Sequence, residues 1–366
     1  MKNLIPLVAA ALLFPVIAVS ASVAQTTGAV YVNTNATSNE VWAYTRAADG
    51  TLGLAGAYST QGKGAVVNLN SQGAIILSPD GKFLYVANAG SNDITVFSVT
   101  QPGQLVFVQR ARSGGSFPKS LTMFGNLLYV LNGHGTAHIN AFKVSPTGTL
   151  SPLSNSSRTL SAPTPTPAQV NFNLDGTLLV VAEIKTNKID TFTVGSDGRA
   201  TGPLVQNSAG PGPFGFAFDN LGRLIVSELN LSSVSSYSVS PTGVLTTVTG
   251  ALVDFGRAAC WVANTNNPAF PSQYSYVTNT GNATVSGFRI GADGSLTLLN
   301  ANGRTFVLPR GADPLDMALS SDSNYLYVLE GSFGGIVGFQ IQPDGSLVQI
   351  TAITGTPTSS YGLTGN

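Results

Sequence analysis

The chain has 366 residues, 17 Lys+Arg against 17 Asp+Glu, and only 9% charged residues, so its formal net charge is zero. Nucleic acids and anionic membrane surfaces recruit clustered Lys and Arg, and this balance argues against both as partners. Gly, Ser, Thr and Asn carry the polarity instead, which suits turn-rich β structure.

Lys2 precedes an apolar run from Leu4 to Val19 and the small-residue pattern Ser22-Val23-Ala24, with Gln25 as the first mature residue. The run falls short of the roughly 18–20 residues that a spanning helix needs, so residues 1–24 read as a secretory signal peptide. No later stretch is apolar enough to cross a bilayer. Residues 25–366 are expected to form one secreted domain without membrane insertion.

From there one pattern recurs seven times: EVWAYTR, DITVFSV, HINAFKV, KIDTFTV, SVSSYSV, TVSGFRI and GIVGFQI. Each places an aromatic at the same point, and each is followed by a turn glycine (Gly50, Gly103, Gly148, Gly198, Gly243, Gly294, Gly345). A period of about 40–50 residues built from short strands marks a propeller blade, which buries its faces only against its neighbours. The predicted fold is all-β, a seven-bladed β-propeller of four-stranded blades.

The chain enters at AVYVN, a second strand that lacks a first. The next unit is complete: GAIILSPDG as inner strand and turn, KFLYVANAG, SNDITVFSVT, a turn at Gln101-Pro102-Gly103, and LVFVQRARS as outer strand. Period-two alternation with β-branched and aromatic residues supports strands throughout. The second strands align at Tyr31, Tyr85, Tyr129, Val180, Ile225, Tyr276 and Tyr327, with spacings of 54, 44, 51, 45, 51 and 51. The third unit carries both histidines, His134 and His138, in GHGTAHIN. They straddle a loop-to-strand junction and make a poor joint metal site, whereas His134 on its glycine-rich loop is a candidate acid or base. The sixth unit holds the lone cysteine, Cys260, read as a buried small hydrophobe, and a long loop from Asn266 to Gln273. Four sequons, at Asn35, Asn155, Asn230 and Asn282, predict exposed loops and a glycoprotein if the host glycosylates. The terminal SSYGLTG reads as an orphan inner strand that completes the first blade, leaving no sheet edge unpaired.

Strand direction puts the loops after the second strands and the connections between blades on one face, where propeller ligand sites converge on the channel. Four places into each second-strand motif stand Thr34, Asn88, Asn132, Glu183, Glu228, Asn279 and Glu330, all with oxygen acceptors. Two readings are open. Strand-end Asn and Glu often bond nearby backbone amides, which alone explains a polar position. Alternatively these side chains ring the channel mouth, with Asn88, Asn132, His134, Asn279, Glu330 and Arg310 binding a ligand and Lys119, Lys185 and Arg257 close by. Glu183, Glu228 and Glu330 would then offer oxygen ligands to a divalent cation, although no cofactor is required.

LSPDGKFLYVANAGSNDITVFSV and ALSSDSNYLYVLEGSFGGIVGFQIQPDGSL resemble the repeats of the seven-bladed β-propeller lactonase family. That family includes 6-phosphogluconolactonases and 3-carboxy-cis,cis-muconate lactonizing enzymes, and the resemblance covers essentially the whole mature chain. The family pattern has a proline-histidine motif where this chain reads Pro167-Ala168-Gln169-Val170, and a Gly-Pro-Arg-His motif where it reads Gly212-Pro213-Phe214-Gly215. The glutamate of the family's Asn-Glu-Leu motif is kept as Glu228. The resemblance implies a lactone hydrolase or lactonizing cyclase acting on a small lactone or unsaturated carboxylic acid. Such chemistry needs a base to activate water and a cation to meet the oxyanion. Glu228, or Glu183 beside it, is the candidate base, and Arg257 or Arg310 the candidate cation. The alternative is a non-catalytic secreted monomer that binds a ligand, cell-wall component or host surface. Convergence of the three glutamates would favour the enzyme; a channel plugged by Phe214 and Phe333 would favour the binder.

Overall fold

A computed structural model describes Met1 and residues 25–366; residues 2–24, on which the signal-peptide expectation rests, lie outside them. The described residues form seven antiparallel sheets, as the repeats predict. Blade two runs from the axis outward as Ile75–Leu77, Phe83–Asn88, Asp93–Gln101 and Gln104–Arg112. In blades three and six the outer strand is broken in two, Leu150–Pro152 with Arg158–Thr159, and Leu296–Leu298 with Phe306–Val307. At each break a hydroxyl replaces the missing ladder partner: Ser156 Oγ accepts from the Ala141 amide at 2.9 Å, and Thr305 Oγ1 from the Gly287 amide at 2.8 Å. No helix among the described residues is long and apolar enough to cross a membrane.

The ring closes as expected. Leu363–Gly365 pairs antiparallel with Val30–Val32 as the inner strand of blade one, between the inner strands of blades seven and two. Arg46, almost fully buried, donates to the Asn366 carbonyl and lies over the Tyr325 ring of blade seven, tying this closure to its neighbour.

Each hydrophobic cluster straddles neighbouring blades. Tyr85, Ile94 and Val96 of blade two pack with Leu128, Val130 and Phe142 of blade three, and Ile225 and Val234 of blade five with Val277 and Phe288 of blade six. The two sequence repeats, tyrosine and turn glycine, meet at these junctions. Tyr129 Oη donates to the Gly198 carbonyl at 2.9 Å, Tyr276 to Gly345 at 2.8 Å and Tyr327 to Gly50 at 2.7 Å, each time one blade onward. Tyr31 Oη instead accepts from the Gly103 amide. Where the second strand offers Val180 or Ile225, a third-strand hydroxyl takes over: Thr191 donates to the Gly243 carbonyl and Ser236 to that of Gly294. These turn glycines sit at positive φ, 82° at Gly198 and 85° at Gly345, and a Cβ at either would meet the preceding blade.

An inner strand has one edge without a sheet partner, and side chains from neighbouring blades fill it. Ser120 and Thr122 accept from the Val170 and Phe172 amides, and Gln169 pairs with both the amide and the carbonyl of Phe216. Asp316 accepts from the Leu363 amide at 3.1 Å, fastening the closing strand.

Candidate functional site

The connection from blade one to blade two, Thr60 to Ala74, enters the channel. Gln72 exchanges a pair of hydrogen bonds, 2.8 and 3.0 Å, with the backbone of Val262 in blade six, and the Trp261 indole donates to the Ser71 carbonyl. The Gln72 amide donates to Ala168 of blade four and the Leu121 amide of blade three donates to the Gly73 carbonyl, while Gly73 and the buried Asp316 of blade seven line one compartment. Residues 71–73 therefore form a crosspiece bonded to blades three, four and six and abutting blade five at Gly215, where any side chain would strike Gln72. The positions where the family pattern has its histidines and arginine hold buried Ala168, Phe214 and Gly215. Phe214 packs edge-on against Trp261 with centroids 5.0 Å apart. Phe333, the other aromatic expected to plug the channel, is 55% exposed.

The seven strand-end acceptors are all buried, and most are bonded within their own part of the ring. Glu228 accepts from the Gly210 amide at 2.8 Å and from the hydroxyls of Ser208, Ser233 and Ser235. Glu183 accepts from the amide and hydroxyl of Ser161 and from Thr186. The same Ser161 amide reaches Asp190 at 2.8 Å; burial and the adjacent Glu183 push the Asp190 carboxyl up to about 8. Asn88 donates to Asp93 and Thr95, Asn279 to Thr284 and Ser286, Asn132 to Asn140, and Thr34 to Asn39. Glu330 has no hydrogen-bond partner among the described residues, and burial together with Asp313 raises its pKa. Except at Glu330, the side chains clip the second strands to third strands or flanking connections, which is local bonding, although backbone amides are among the partners only at Thr34, Glu183 and Glu228. Among the described residues no group of three or more His, Cys, Asp and Glu is arranged to hold a metal, so the three glutamates do not converge as a cation cage.

Arg257 and Arg310 stand exposed on their connections. His138 faces the carbonyls of Thr136 and Gly114. Cys260 is buried, its thiol pushed up to about 12 by burial, as an inert small residue would be. Of the sequons, Asn155 and Asn230 are exposed. Asn35 corrects the expectation of an exposed loop: it is 1% exposed and braces the crosspiece connection, donating to the Val67 carbonyl and accepting from the Ala65 amide.

The structure does bring one reactive pair together. A cavity of about 320 Å³ opens on the face that carries the connections, lined by Leu69, Asn70, Phe117, Lys119, His134 and Thr166 among others. Lys119 rises from the inner strand Ser116–Phe124, is 5% exposed, and has no ion-pair partner among the described residues; burial alone pulls its ammonium down to about 7. His134 stacks on Phe117, centroids 3.8 Å apart, and burial plus the nearby Lys119 lower its pKa, favouring neutral imidazole. Phe117 holds φ at 62°, its amide donating to Asn92 Oδ1, which turns the ring under the imidazole. Sequence reasoning placed His134 here but noted Lys119 only as a nearby cation. The available signal was a lone charge inside the inner strand SFPKSLTMF.

The fold defines a seven-bladed propeller, and the expected family resemblance is borne out: residues 23–166 match the family described as Lactonase, 7-bladed beta-propeller. A 52-residue stretch is 50% identical to 6-phosphogluconolactonase of Bacillus subtilis, covering 14% of this chain and 15% of that protein's length. Among solved structures, the periplasmic gluconolactonase of Pseudomonas aeruginosa superposes with TM-score 0.73 at 17% identity, covering 92% of this chain and 98% of that one. A candidate 6-phosphogluconolactonase from Bacteroides fragilis gives 0.70 at 20% identity, covering 94% and 99%. At these identities the superpositions speak for the fold.

Proposed function

We propose that the protein hydrolyses a lactone in the Lys119–His134 cavity. The family match supports a lactone as the substrate class. The observation that carries the site is a buried amine without a counter-ion beside a stacked imidazole, both bordering one open cavity. Neutral His134 takes a proton from water as its oxygen bonds to the lactone carbonyl carbon. Protonated Lys119 meets the oxyanion and then the carboxylate formed when the ring C–O bond breaks, and the leaving oxygen regains the proton from His134. Glu228 and Glu183 serve as positioning residues that hold the strand ends, and Arg257 and Arg310 draw anionic molecules to the face. The reading keeps an exported monomer that needs no cofactor.

The test is turnover by the mature chain on a panel of five- and six-membered lactones, with and without EDTA. His134→Gln should lower kcat by about 100-fold or more, and Lys119→Met should raise KM as well. Glu228→Gln should lower Tm while the folded fraction keeps its kcat, and EDTA should change nothing. The pH profile should rise through an acid limb below about 6.5 and fall as Lys119 loses its proton near pH 7. No turnover on any lactone overturns the proposal; loss of turnover in Glu228→Gln with unchanged Tm would return the base role to Glu228. A second reading, a binding propeller without turnover, is favoured by the exposed Val66, Val67, Leu231, Phe255 and Phe333, which project from the same face as the cavity.

A further inference from the structure

Lys119 has a feature that lactone hydrolysis does not require. An oxyanion-binding lysine works best when it keeps its proton, and a buried ion pair would secure that. Here the four ion pairs among the described residues leave Lys119 out, and burial is the whole cause of its shift. Gly133 leaves room for the lysine stem: a Cβ there would lie 2.7 Å from Lys119 Cδ. Of the residues lining the cavity, His134 is the only other titratable one. A desolvated lysine with an open approach is the arrangement that makes an amine nucleophilic toward carbonyl carbon.

We infer that Lys119 is a carbonyl-reactive amine that captures small aldehydes as imines in this cavity. The Nζ lone pair bonds to the aldehyde carbon while the carbonyl electrons pass to oxygen, which gains a proton and gives a carbinolamine. That hydroxyl then leaves as water, nitrogen loses its remaining protons to solvent or His134, and a C=N bond results. One water is released, nothing is oxidised or reduced, and hydrolysis reverses the step. The inference uses the site of the proposed lactone chemistry but does not depend on turnover.

The experiment treats the mature protein with glycolaldehyde and cyanoborohydride, which traps the imine as a secondary amine, and maps the modified lysines by peptide mass. At pH 7 Lys119 should label at least about 100-fold faster than an ordinary lysine, whose pKa near 10.4 leaves it almost wholly protonated. The solvent-facing Lys63, Lys82 and Lys185 are internal references. The advantage should shrink below about tenfold at pH 10, where the references also lose protons. Lys119→Met should abolish the fast label and leave the slow ones; if that variant fails to fold, the wild-type map across pH decides alone. Uniform labelling at pH 7, or a ratio that does not change with pH, overturns the inference. Labelling without lactone turnover would overturn only the hydrolase proposal, and turnover without selective labelling only this one.

Discussion

Glu330 shows how much one side chain depends on register. Three of the other strand-end acceptors find partners five and seven residues on: Asn88 in Asp93 and Thr95, Glu228 in Ser233 and Ser235, and Asn279 in Thr284 and Ser286. In blade seven those places hold Gly335 and Val337, so both Glu330 oxygens go without a bond. Val337→Thr keeps the volume and supplies a hydroxyl; a hydrogen bond to a charged group contributes about 1.5–3 kcal/mol. We expect Tm at neutral pH to rise in Val337→Thr, and the gain to vanish in a Glu330→Gln background. The pH dependence has a definite sign. The folded pKa of Glu330 is raised, so the folded state holds its proton longer than the unfolded chain. Stability falls as pH climbs from the unfolded value, about 4.3, through the folded one. Glu330→Gln should flatten that decline, and urea midpoints measured from pH 4 to 8 check it. The sequence displays seven acceptors in step, but whether each meets a donor depends on residues in other strands and connections, which is why a ring of free ligands and a set of clips look alike from the chain alone.

At the scale of the element, the junction between blades is the unit that matters. Its two halves, the second-strand tyrosine and the turn glycine, were each visible as repeats. Their hydrogen bond was not, because it crosses from one period into the next. Even so, the pattern holds at six of the seven junctions: where Val180 and Ile225 interrupt the tyrosines, Thr191 and Ser236 supply the hydroxyl. Tyr129→Phe should therefore cost about 1 kcal/mol, and Thr191→Val a similar amount, whereas Tyr85→Phe should cost close to nothing because Tyr85 Oη has no partner. Chemical denaturation of the three variants checks the ranking. The crosspiece was illegible for a different reason. Thr60 to Ala74 has neither period two nor a blade motif, and its main partners, Trp261 and Val262, lie 190 residues away.

For the whole molecule, closure is the decisive interaction. The final strand joins blade one to blade seven through the Leu363–Asp316 bond and the Arg46–Asn366 contact, so its pairing was legible from AVYVN lacking a first strand. Burial pushes the Asp316 carboxyl up to about 7, so the bond is made by a group near its titration point at neutral pH. Removing residues 360–366 should expose the inner edge of blade one and lower Tm by about 10 °C, given about 2–4 °C per kcal/mol in large domains. Calorimetry of the shortened chain checks this, and an unchanged Tm would show that the ring holds without its last strand.

The polar bridge at Ser71–Gly73 makes the molecule a cup rather than a tube. A lactone held beside Lys119 is therefore expected to leave by the mouth it entered, so departure precedes the next arrival. A second compartment of about 260 Å³, with Gln72, Gly73 and Asp316 in its wall, borders the same bridge. One ring of blades thus carries two chambers, with the Ser71–Gly73 bridge standing between them.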